Sequence, residues 1–441
     1  MKKFLTVLLA VLIVCMGLVP CLAATDEKPY TNVILMIGDG MGPNHLELAK
    51  QERGCTLFME EQCDLRGFSK TRSSSSAVTD SAAGGTALAT GVRTTNRYVA
   101  SYWYDPLGWF SVPRTLAEAA KLSGRRSGVI TTDHTDGATP SAFTAHTSDR
   151  GNSLDISTQQ ATSAFDLIWG GESETFDAEL AAQNGFTVLT TKSEMDNLRP
   201  GSKSFAQFNY DWMWRTEVPD IVTAPTLSQM TAKAIDLLKN DDGFFLMVEG
   251  AHIDKWSHTS NEADNYDTKV ANAAEAVEEF DNAIEIAVDF ARDDGNTLVV
   301  VTADHETGGI TLQDGKYVYT KTSHTGTDVP LIVFGSKDLI QDGDHIENRQ
   351  VAQRIGAKMG LDKFPVSDPG KVVLFLHDKM SALLNRDYVP LRSYVVFLLR
   401  PFLGIFNRGV KNRSKKPFHV KAKPRSPARC AQRSARWVSC G

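Results

Sequence analysis

Seven acidic and histidine residues of this sequence are of the types that bind metal ions together. They are Asp39, Glu249, Asp254, His258, Asp304, His305 and His324. Mixed carboxylate and imidazole donors suit zinc, whereas a site made only of oxygen donors suits magnesium. His258 follows Asp254 by four residues, so one helical turn can direct both side chains at one ion. A single Asp or His is typical of a turn or a packed core, but this set indicates a metal centre.

Most of these residues follow apolar, β-branched segments that predict strands. The segments are Asn32–Ile37, Gly128–Thr132, Phe244–Val248, Thr297–Thr302 and Pro330–Phe334. Helical patterns alternate with them, which predicts an α/β fold, a three-layer α/β/α sandwich with a mostly parallel central sheet. Ligands of such sheets bind at the carboxyl ends of the strands, so we expect the active site there. Residues 151–225 carry no comparable motif, and we expect helices, insertions and substrate-side loops from them.

The composition is that of a globular protein. The 441 residues are 42% hydrophobic and 23% charged, with a mean hydropathy of -0.23. These values exclude collagen, coiled-coil and low-complexity proteins. The net charge of -6 is unevenly distributed, because residues 366–441 hold 16 Lys and Arg against three acidic residues.

The first 24 residues predict a signal peptide. Lys2 and Lys3 precede an apolar stretch that ends at Pro20, and small residues follow it. This order predicts export to the periplasm or the cell exterior, with cleavage near Ala23 or Ala24. In an oxidising compartment Cys55 and Cys63 could form a disulfide, and two buried free thiols are the alternative.

Six short motifs in a fixed order resemble bacterial alkaline phosphatase. They are Asn32–Gly42 (NVILMIGDGMG), Val78–Ala83 (VTDSAA), Ala138–Pro140, Val248–Ala251 with Asp254 and His258, Thr302–His305, and Ser323–Gly326. The resemblance extends from residue 31 to about residue 364, so we expect domains over residues 1–24 (signal peptide), 25–365 (catalytic domain) and 366–441 (basic tail). It implies an enzyme that hydrolyses phosphate monoesters and forms a homodimer, and the predicted signal peptide adds that the enzyme is exported.

The resemblance also implies a site for two zinc ions and one magnesium ion. Asp254, His258 and His324 would bind the first zinc ion. Asp39, Asp304 and His305 would bind the second. Asp39, Thr139 and Glu249 would bind magnesium.

Ser81 and Arg150 complete the catalytic set that the resemblance implies. Ser81 would be the nucleophile that becomes phosphorylated, aided by the N-terminus of the helix that follows it. Arg150 would bind phosphate, because a guanidinium group can contact two phosphate oxygens at once. Taken alone, Asp80 and Ser81 are also typical of a helix cap, and Arg150 of a surface ion pair.

Two positions near these motifs depart from common family patterns. Gly137 stands where relatives often carry Asp or His, so its position offers the magnesium site no side chain. Lys255 is interpreted either as a cation that contacts phosphate through water or as a solvated surface lysine. His134 and His252 lie near the motifs but match no ligand position.

The basic tail has two interpretations. Residues after Tyr388 include no Asp or Glu and contain the apolar patches Tyr394–Leu399 and Phe402–Phe406. The tail is either a disordered appendage without a role or a segment that contacts an anionic membrane or polymer, with no specific nucleic-acid recognition.

Rival functions remain within and outside the superfamily. Phosphodiesterases and phosphonate hydrolases are alternatives, as are sulfatases, but Ser81-Ala-Ala-Gly-Gly85 lacks the Pro and Arg that sulfatases carry after the nucleophile. Ser81, Thr139 and Glu249 favour a monoesterase over a diesterase. A non-catalytic surface protein that uses metals only for folding is the alternative of another class.

Overall fold

The computed structural model describes residues 29–104, 109–219, 221–361 and 364. The predicted signal peptide and the basic tail, with Cys430 and Cys440, lie outside these residues. In the described part of the chain, no helix combines the length and the apolar character needed to cross a membrane.

Sixteen strands are present in the described residues. In chain order they are β1 Asn32–Gly38, β2 Leu65–Lys70, β3 Tyr102–Tyr104, β4 Trp109–Ser111, β5 Arg126–His134, β6 Leu167–Gly171, β7 Thr187–Leu189, β8 Ser204–Phe208, β9 Phe244–Gly250, β10 Thr297–Thr302, β11 Glu306–Thr307, β12 Thr311–Gln313, β13 Lys316–Val318, β14 His324–Thr325, β15 Val329–Phe334 and β16 His345–Glu347.

Twelve helices accompany these strands in the same described ranges. In chain order they are α1 Pro43–Arg53, α2 Phe58–Glu61, α3 Ser81–Thr90, α4 Leu116–Leu122, α5 Ala138–Thr144, α6 Ser153–Ala161, α7 Ala178–Gln183, α8 Lys192–Asp196, α9 Leu227–Leu238, α10 His252–Ser257, α11 Tyr266–Asp294 and α12 Asn348–Lys358.

Ten strands form one large sheet in the order β16-β2-β15-β10-β1-β9-β5-β6-β8-β7. Every neighbouring pair is parallel except the two that involve β15, which is antiparallel to both β10 and β2. The sheet is therefore mostly parallel, as predicted. Because β15 is reversed, the residues that precede it lie at the edge where the parallel strands end.

Helices cover both faces of the sheet. Along β1, Ile34 and Met36 join one buried cluster with residues of α1, α9 and α11. Val33, Leu35 and Ile37 join a second cluster with residues of α3, α4, α5 and α12. Since successive side chains of a strand point to opposite faces, a strand buried on both sides reads as a continuous apolar run. This arrangement confirms the predicted α/β/α sandwich.

The prediction for residues 151–225 was incomplete, because this segment supplies three strands of the main sheet, β6, β7 and β8, besides helices. Strand β6 contains Gly170 and Gly171, and β8 contains Ser204 and Gln207, so neither reads as an apolar run. Their polar groups are satisfied internally: Trp169 Nε1 donates to Ser204 Oγ at 3.0 Å, and Gln207 Nε2 donates to a threonine hydroxyl. Internal pairing of this kind permits polar residues in a buried strand.

Cys55 and Cys63 are both free and partly buried. The structure thus corresponds to the free-thiol alternative for this pair.

Candidate active site

Three buried carboxylates meet at the carboxyl edge of the central strands. Asp39 directly follows β1, Glu249 is the penultimate residue of β9, and Asp304 follows β10 by two residues. Asp39 is 6% exposed, and Glu249 and Asp304 are fully buried. Because β1 lies between β9 and β10, the parallel order of these strands alone brings the three side chains to one place.

The turn after β1 requires a glycine. Gly40 has a φ of +74°, and a Cβ atom at this position would lie only 2.8 Å from the Cβ atom of Asp254. The amide of Gly40 donates to Asp304 Oδ1 at 3.2 Å. The Gly-Asp-Gly sequence therefore lets the backbone pass close to the carboxylates on either side of it.

Ser81 is the first residue of α3. Asp80 caps this helix by accepting from the amide of Ala83 at 3.0 Å, and its other oxygen accepts from the amide of Arg97 at 2.9 Å. Gly84 permits close packing, because a Cβ there would lie 2.7 Å from the carbonyl oxygen of Asp304. As a result Ser81 Oγ lies 3.0 Å from His305 Nε2 at the positive end of the helix.

The first candidate metal cluster contains Asp254, His258 and His324. His258 Nε2 lies 3.3 Å from Asp254 Oδ2, and His324 Nε2 lies 3.6 Å from Asp254 Oδ1. Burial alone would raise the pKa of Asp254, but its hydrogen bond with His258 and three nearby histidines lower it below its usual value. Asp254 is therefore held as a carboxylate.

Strand pairing and one contact of the imidazole ring place His324 in this cluster. Strand β14 pairs with β11, which places His324 opposite Thr307. The His324 Nδ1 atom contacts the carbonyl oxygen of Thr79 at 3.0 Å, leaving Nε2 directed at Asp254. The ring also stacks on His305, with 3.6 Å between ring centroids.

The second candidate cluster contains Asp39, Asp254 and His305. His305 Nε2 lies 3.5 Å from Asp39 Oδ1 and 3.2 Å from Asp304 Oδ2, so Asp304 belongs to the same neighbourhood. The structure thus brings together the three residues predicted for the second zinc ion and adds Asp254, which lies between the two clusters.

The three residues predicted for magnesium offer oxygen atoms that have no hydrogen-bond partner among the described residues. The buried unpartnered atoms at this edge are Asp39 Oδ1, Thr139 Oγ1, Glu249 Oε1 and Asp304 Oδ2. Buried polar atoms are almost always hydrogen-bonded, so these four oxygen atoms fit the role of cation ligands. Thr139 and Glu249 offer only oxygen donors, which fits magnesium, whereas the cluster that contains His305 combines oxygen donors with imidazole, which fits zinc.

Charge repulsion among these carboxylates supports the same conclusion. Burial and then the charge of Asp304 raise the pKa of Asp39 well above its usual value. Burial and then Asp254 raise the pKa of Asp304 to about 6, while burial and then Asp133 raise that of Glu249 to about 8. Cations bound among these groups would favour their charged forms.

Arg150 lies beside Asp80, the residue that precedes Ser81. Its Nη1 atom is 3.6 Å from Asp80 Oδ2, and its side chain is 33% exposed. Its positive charge also contributes to a pKa of His305 that lies well below the usual value, after the larger effects of burial and His324. The guanidinium group is therefore partly solvent-accessible and faces the Ser81 region.

Thr307 contacts both candidate clusters, and the sequence motifs did not single it out. Its hydroxyl donates to Asp254 Oδ1 at 2.5 Å and contacts His305 Nδ1 at 3.2 Å, so it orients one member of each metal cluster. Its place two residues after His305 was the only available signal.

Asp133 was also missed. Its carboxylate is 8% exposed and accepts from Lys255 Nζ at 2.9 Å, so Lys255 is an ion-paired residue rather than a freely solvated one. His134 and His252, which matched no ligand position, have other partners: His134 stacks on Tyr210, and His252 contacts the Thr132 hydroxyl at 3.3 Å.

Sequence comparison identifies relatives of known type. The family model described as alkaline phosphatase matches residues 30–176 and 182–359. Alkaline phosphatase 4 of Bacillus subtilis (strain 168) is 33% identical over an alignment of 316 residues that covers 65% of this chain and 64% of that protein. The alkaline phosphatase of Schizosaccharomyces pombe is 33% identical over 329 residues, covering 65% of this chain and 58% of the relative. The chain therefore spans less than two thirds of the length of both relatives.

Solved structures show the same similarity. The alkaline phosphatase from the Antarctic bacterium TAB5 matches with a TM-score of 0.64 at 27% identity, covering 76% of this chain and 100% of that one. A variant of the TAB5 enzyme, which matches with a TM-score of 0.62 and the same 27% identity, has been solved with Mg bound in the M3 site. It covers 76% of this chain and 99% of its own.

Proposed function

The chain belongs to the alkaline phosphatase family, and on that premise we propose that it is an exported, metal-dependent phosphomonoesterase that forms a phosphoserine on Ser81. One observation carries the proposal. Ser81 Oγ stands at a helix N-terminus 3.0 Å from His305 Nε2, and this edge of the sheet carries four buried oxygen atoms that have no hydrogen-bond partner among the described residues. A nucleophile and cation donors meet in one place.

The donor sets fit two zinc ions and one magnesium ion. Asp254, His258 and His324 would hold the first zinc ion, and Asp39, Asp304 and His305 the second. Asp39, Thr139 and Glu249 would hold magnesium, and the magnesium bound to the TAB5 variant supports this part of the assignment. When bound, these ions would lower the pKa of an attacking hydroxyl and stabilise charge on the entering and leaving oxygen atoms.

Ser81 Oγ is placed to attack phosphorus. In the first step, a bond forms between Ser81 Oγ and phosphorus while the ester bond to the alcohol breaks, and the proton lost by Ser81 ends on the departing alcohol. In the second step, water attacks phosphorus from the side opposite Ser81, and the serine oxygen regains a proton as phosphate leaves. The N-terminal end of α3 favours the negative charge on the phosphoryl group in both steps.

Arg150 would bind two oxygen atoms of the phosphoryl group that Ser81 attacks. A guanidinium group forms parallel hydrogen bonds with such a pair, and the partly exposed side chain is accessible to an entering substrate. Because these contacts are all made to the phosphoryl group, the alcohol contributes little to recognition. We therefore propose broad specificity for phosphate monoesters.

Export is the part of the proposal that depends on sequence alone. The paired lysines, apolar stretch and small residues over residues 1–24 support a signal peptide, and hence a periplasmic or extracellular location. Homodimer formation and contact of the tail with anionic membranes or polymers remain predictions.

The test is hydrolysis of p-nitrophenyl phosphate at alkaline pH, measured before and after EDTA treatment and after zinc and magnesium are restored. Ser81→Ala is expected to abolish turnover and the mass increase of one phosphate group after acid quenching, while zinc content is kept. Ser127→Ala provides a matched control, because Ser127 is buried at the opposite end of the sheet. Turnover by Ser81→Ala, or activity that persists without metals, would refute the mechanism.

Arg150→Ala tests the phosphate-binding role. Inhibition by inorganic phosphate is expected to require a higher phosphate concentration in this variant. Arg97→Ala is the control, since Arg97 lies nearby but pairs with Asp149 at 2.7 Å. Equal phosphate inhibition of the wild type and Arg150→Ala would remove Arg150 from the proposal.

A further inference from the structure

We propose that the ion pair between Asp133 and Lys255 sets the affinity of the magnesium site formed by Asp39, Thr139 and Glu249. In this proposal Asp133 is a positioning residue that supplies the carboxylate for which residue 137 offers no side chain, while Lys255 opposes the bound cation. The inference rests on the proposed function and deepens it, because it explains how a magnesium site can work beside Gly137.

Asp133 occupies the space that a side chain at residue 137 would take. A Cβ atom built on Gly137 would lie 2.3 Å from Asp133 Oδ2, far inside van der Waals contact. Gly137 has an ordinary φ of -54°, so its backbone does not require glycine. The glycine is therefore explained by the neighbouring carboxylate and not by the turn.

The backbone of Asp133 is connected to the magnesium site through one hydroxyl group. The amide of Asp133 donates to Thr131 Oγ1 at 2.7 Å, and Thr131 Oγ1 donates in turn to Glu249 Oε2. This contact fixes one oxygen of Glu249 and leaves Glu249 Oε1 buried without a partner in the described chain. Thr139 Oγ1, two residues beyond Gly137, is the second such atom.

Lys255 brings the opposite charge to the same place. Its Nζ atom lies 2.9 Å from Asp133 Oδ1 and 5.9 Å from the centre of the Tyr210 ring. Lys255 directly follows the candidate ligand Asp254 in α10, and its partner Asp133 fills the space beside Gly137, two residues before Thr139. Asp133 and Lys255 therefore favour and oppose, respectively, a cation held by Glu249.

An ion pair with a purely structural role would behave differently. Loss of either partner would then disturb the site in the same direction, because each variant would leave one buried charge unpaired. A role in cation affinity instead requires effects of opposite sign. The sign of the change distinguishes the two interpretations without an activity measurement.

The experiment is calorimetric titration of Mg²⁺ into the full chain loaded with two equivalents of zinc. Asp133→Asn is expected to weaken Mg²⁺ binding about tenfold, as for other residues that support metal ligands. Lys255→Met is expected to strengthen it. Asp166→Asn serves as the control, because it removes the partner of Lys121, 2.6 Å away, at the opposite end of the sheet, and should leave Mg²⁺ affinity unchanged.

A swapped pair covers the case in which single variants fold poorly. Combining Asp133→Gly with Gly137→Asp moves the carboxylate to the other side of the shared space, and Mg²⁺ affinity is expected to return to within a few-fold of the wild type. Gly137→Asp alone is expected to lower the unfolding temperature, since the two side chains compete for one volume. A folded swap variant with affinity no better than that of Asp133→Asn would overturn the inference.

The remaining outcomes also decide the question. Weaker Mg²⁺ binding in both single variants, or no change in either, would overturn the inference while leaving zinc-dependent hydrolysis intact. A wild-type chain that binds no Mg²⁺ would overturn it together with the magnesium assignment. Tight Mg²⁺ binding with the expected opposite signs, but no hydrolysis of p-nitrophenyl phosphate, would support the inference and refute the proposed function.

Discussion

Thr307→Val is expected to weaken zinc binding at both candidate clusters, although Thr307 is itself no ligand. The substitution keeps the shape of the side chain but removes the hydroxyl that donates to Asp254 Oδ1 at 2.5 Å and contacts His305 Nδ1 at 3.2 Å. A hydrogen bond to a charged group is worth about 1.5–3 kcal/mol, which corresponds to roughly 10–100-fold in an equilibrium constant. Loss of residues that orient metal ligands costs a similar factor in metal affinity.

The assay is competition between the protein and a chelator of known zinc affinity, followed by metal analysis of the protein. The Thr307→Val variant should release zinc at chelator concentrations roughly tenfold or more below those needed for the wild type. Thr231→Val is the matched control, because its buried hydroxyl donates only to the carbonyl of Leu227 within α9. A folded, active Thr307→Val variant that retained zinc as tightly as this control would refute the role assigned to the Thr307 hydroxyl.

Two further predictions concern stability. Asp80→Ala removes the cap of α3 and the acceptor of the Arg97 amide, so urea unfolding should show a free energy of unfolding lower by about 1–2 kcal/mol. An unchanged urea midpoint would contradict this prediction. Asp177→Ala, which removes an exposed cap of α7, is the comparison. Burial lowers the pKa of His45 to about 3, so the unfolded chain, where His titrates near 6.5, binds the extra proton between these values. The free energy of unfolding should therefore fall as the pH is lowered from about 6 to about 4, by up to about 1.4 kcal/mol per pH unit from this group. In His45→Asn the dependence should be shallower, and equal slopes for both proteins would show that His45 does not contribute.

The sequence predicted the centre of the fold because the central strands are buried on both faces. Strand β10 matches its predicted bounds, and β1 and β9 extend beyond theirs only at the carboxyl end. Such strands can be recognised in a sequence because they form continuous apolar runs that polar residues do not interrupt. Strands β6 and β8 were missed because their burial depends on internal pairing of glutamine, serine and tryptophan, which no local pattern reveals.

The site could be predicted as far as strand ends determine it. Asp39, Glu249 and Asp304 follow directly from strand order, and Ser81 from the cap at Asp80. The position of His324 depends on the reversed strand β15 and on pairing of β14 with β11, and neither is visible in a list of apolar runs. Asp133 and Thr307 were not predicted because their contacts with Lys255, Asp254 and His305 arise only from tertiary packing.

The long sequence separations within the sheet determine when the site can form during folding. Asn32 at the start of β1 contacts Phe244, 212 residues later, and Thr297, 265 residues later. Closing loops of this size makes folding slow, and β1 lacks both neighbours until most of the chain has been synthesised. The candidate metal ligands therefore come together late in folding and almost at the same time. A nascent chain that ends before β10 exposes the apolar strand β1 on one side. Such truncated chains are expected to aggregate or be degraded and not to persist as partly active enzymes.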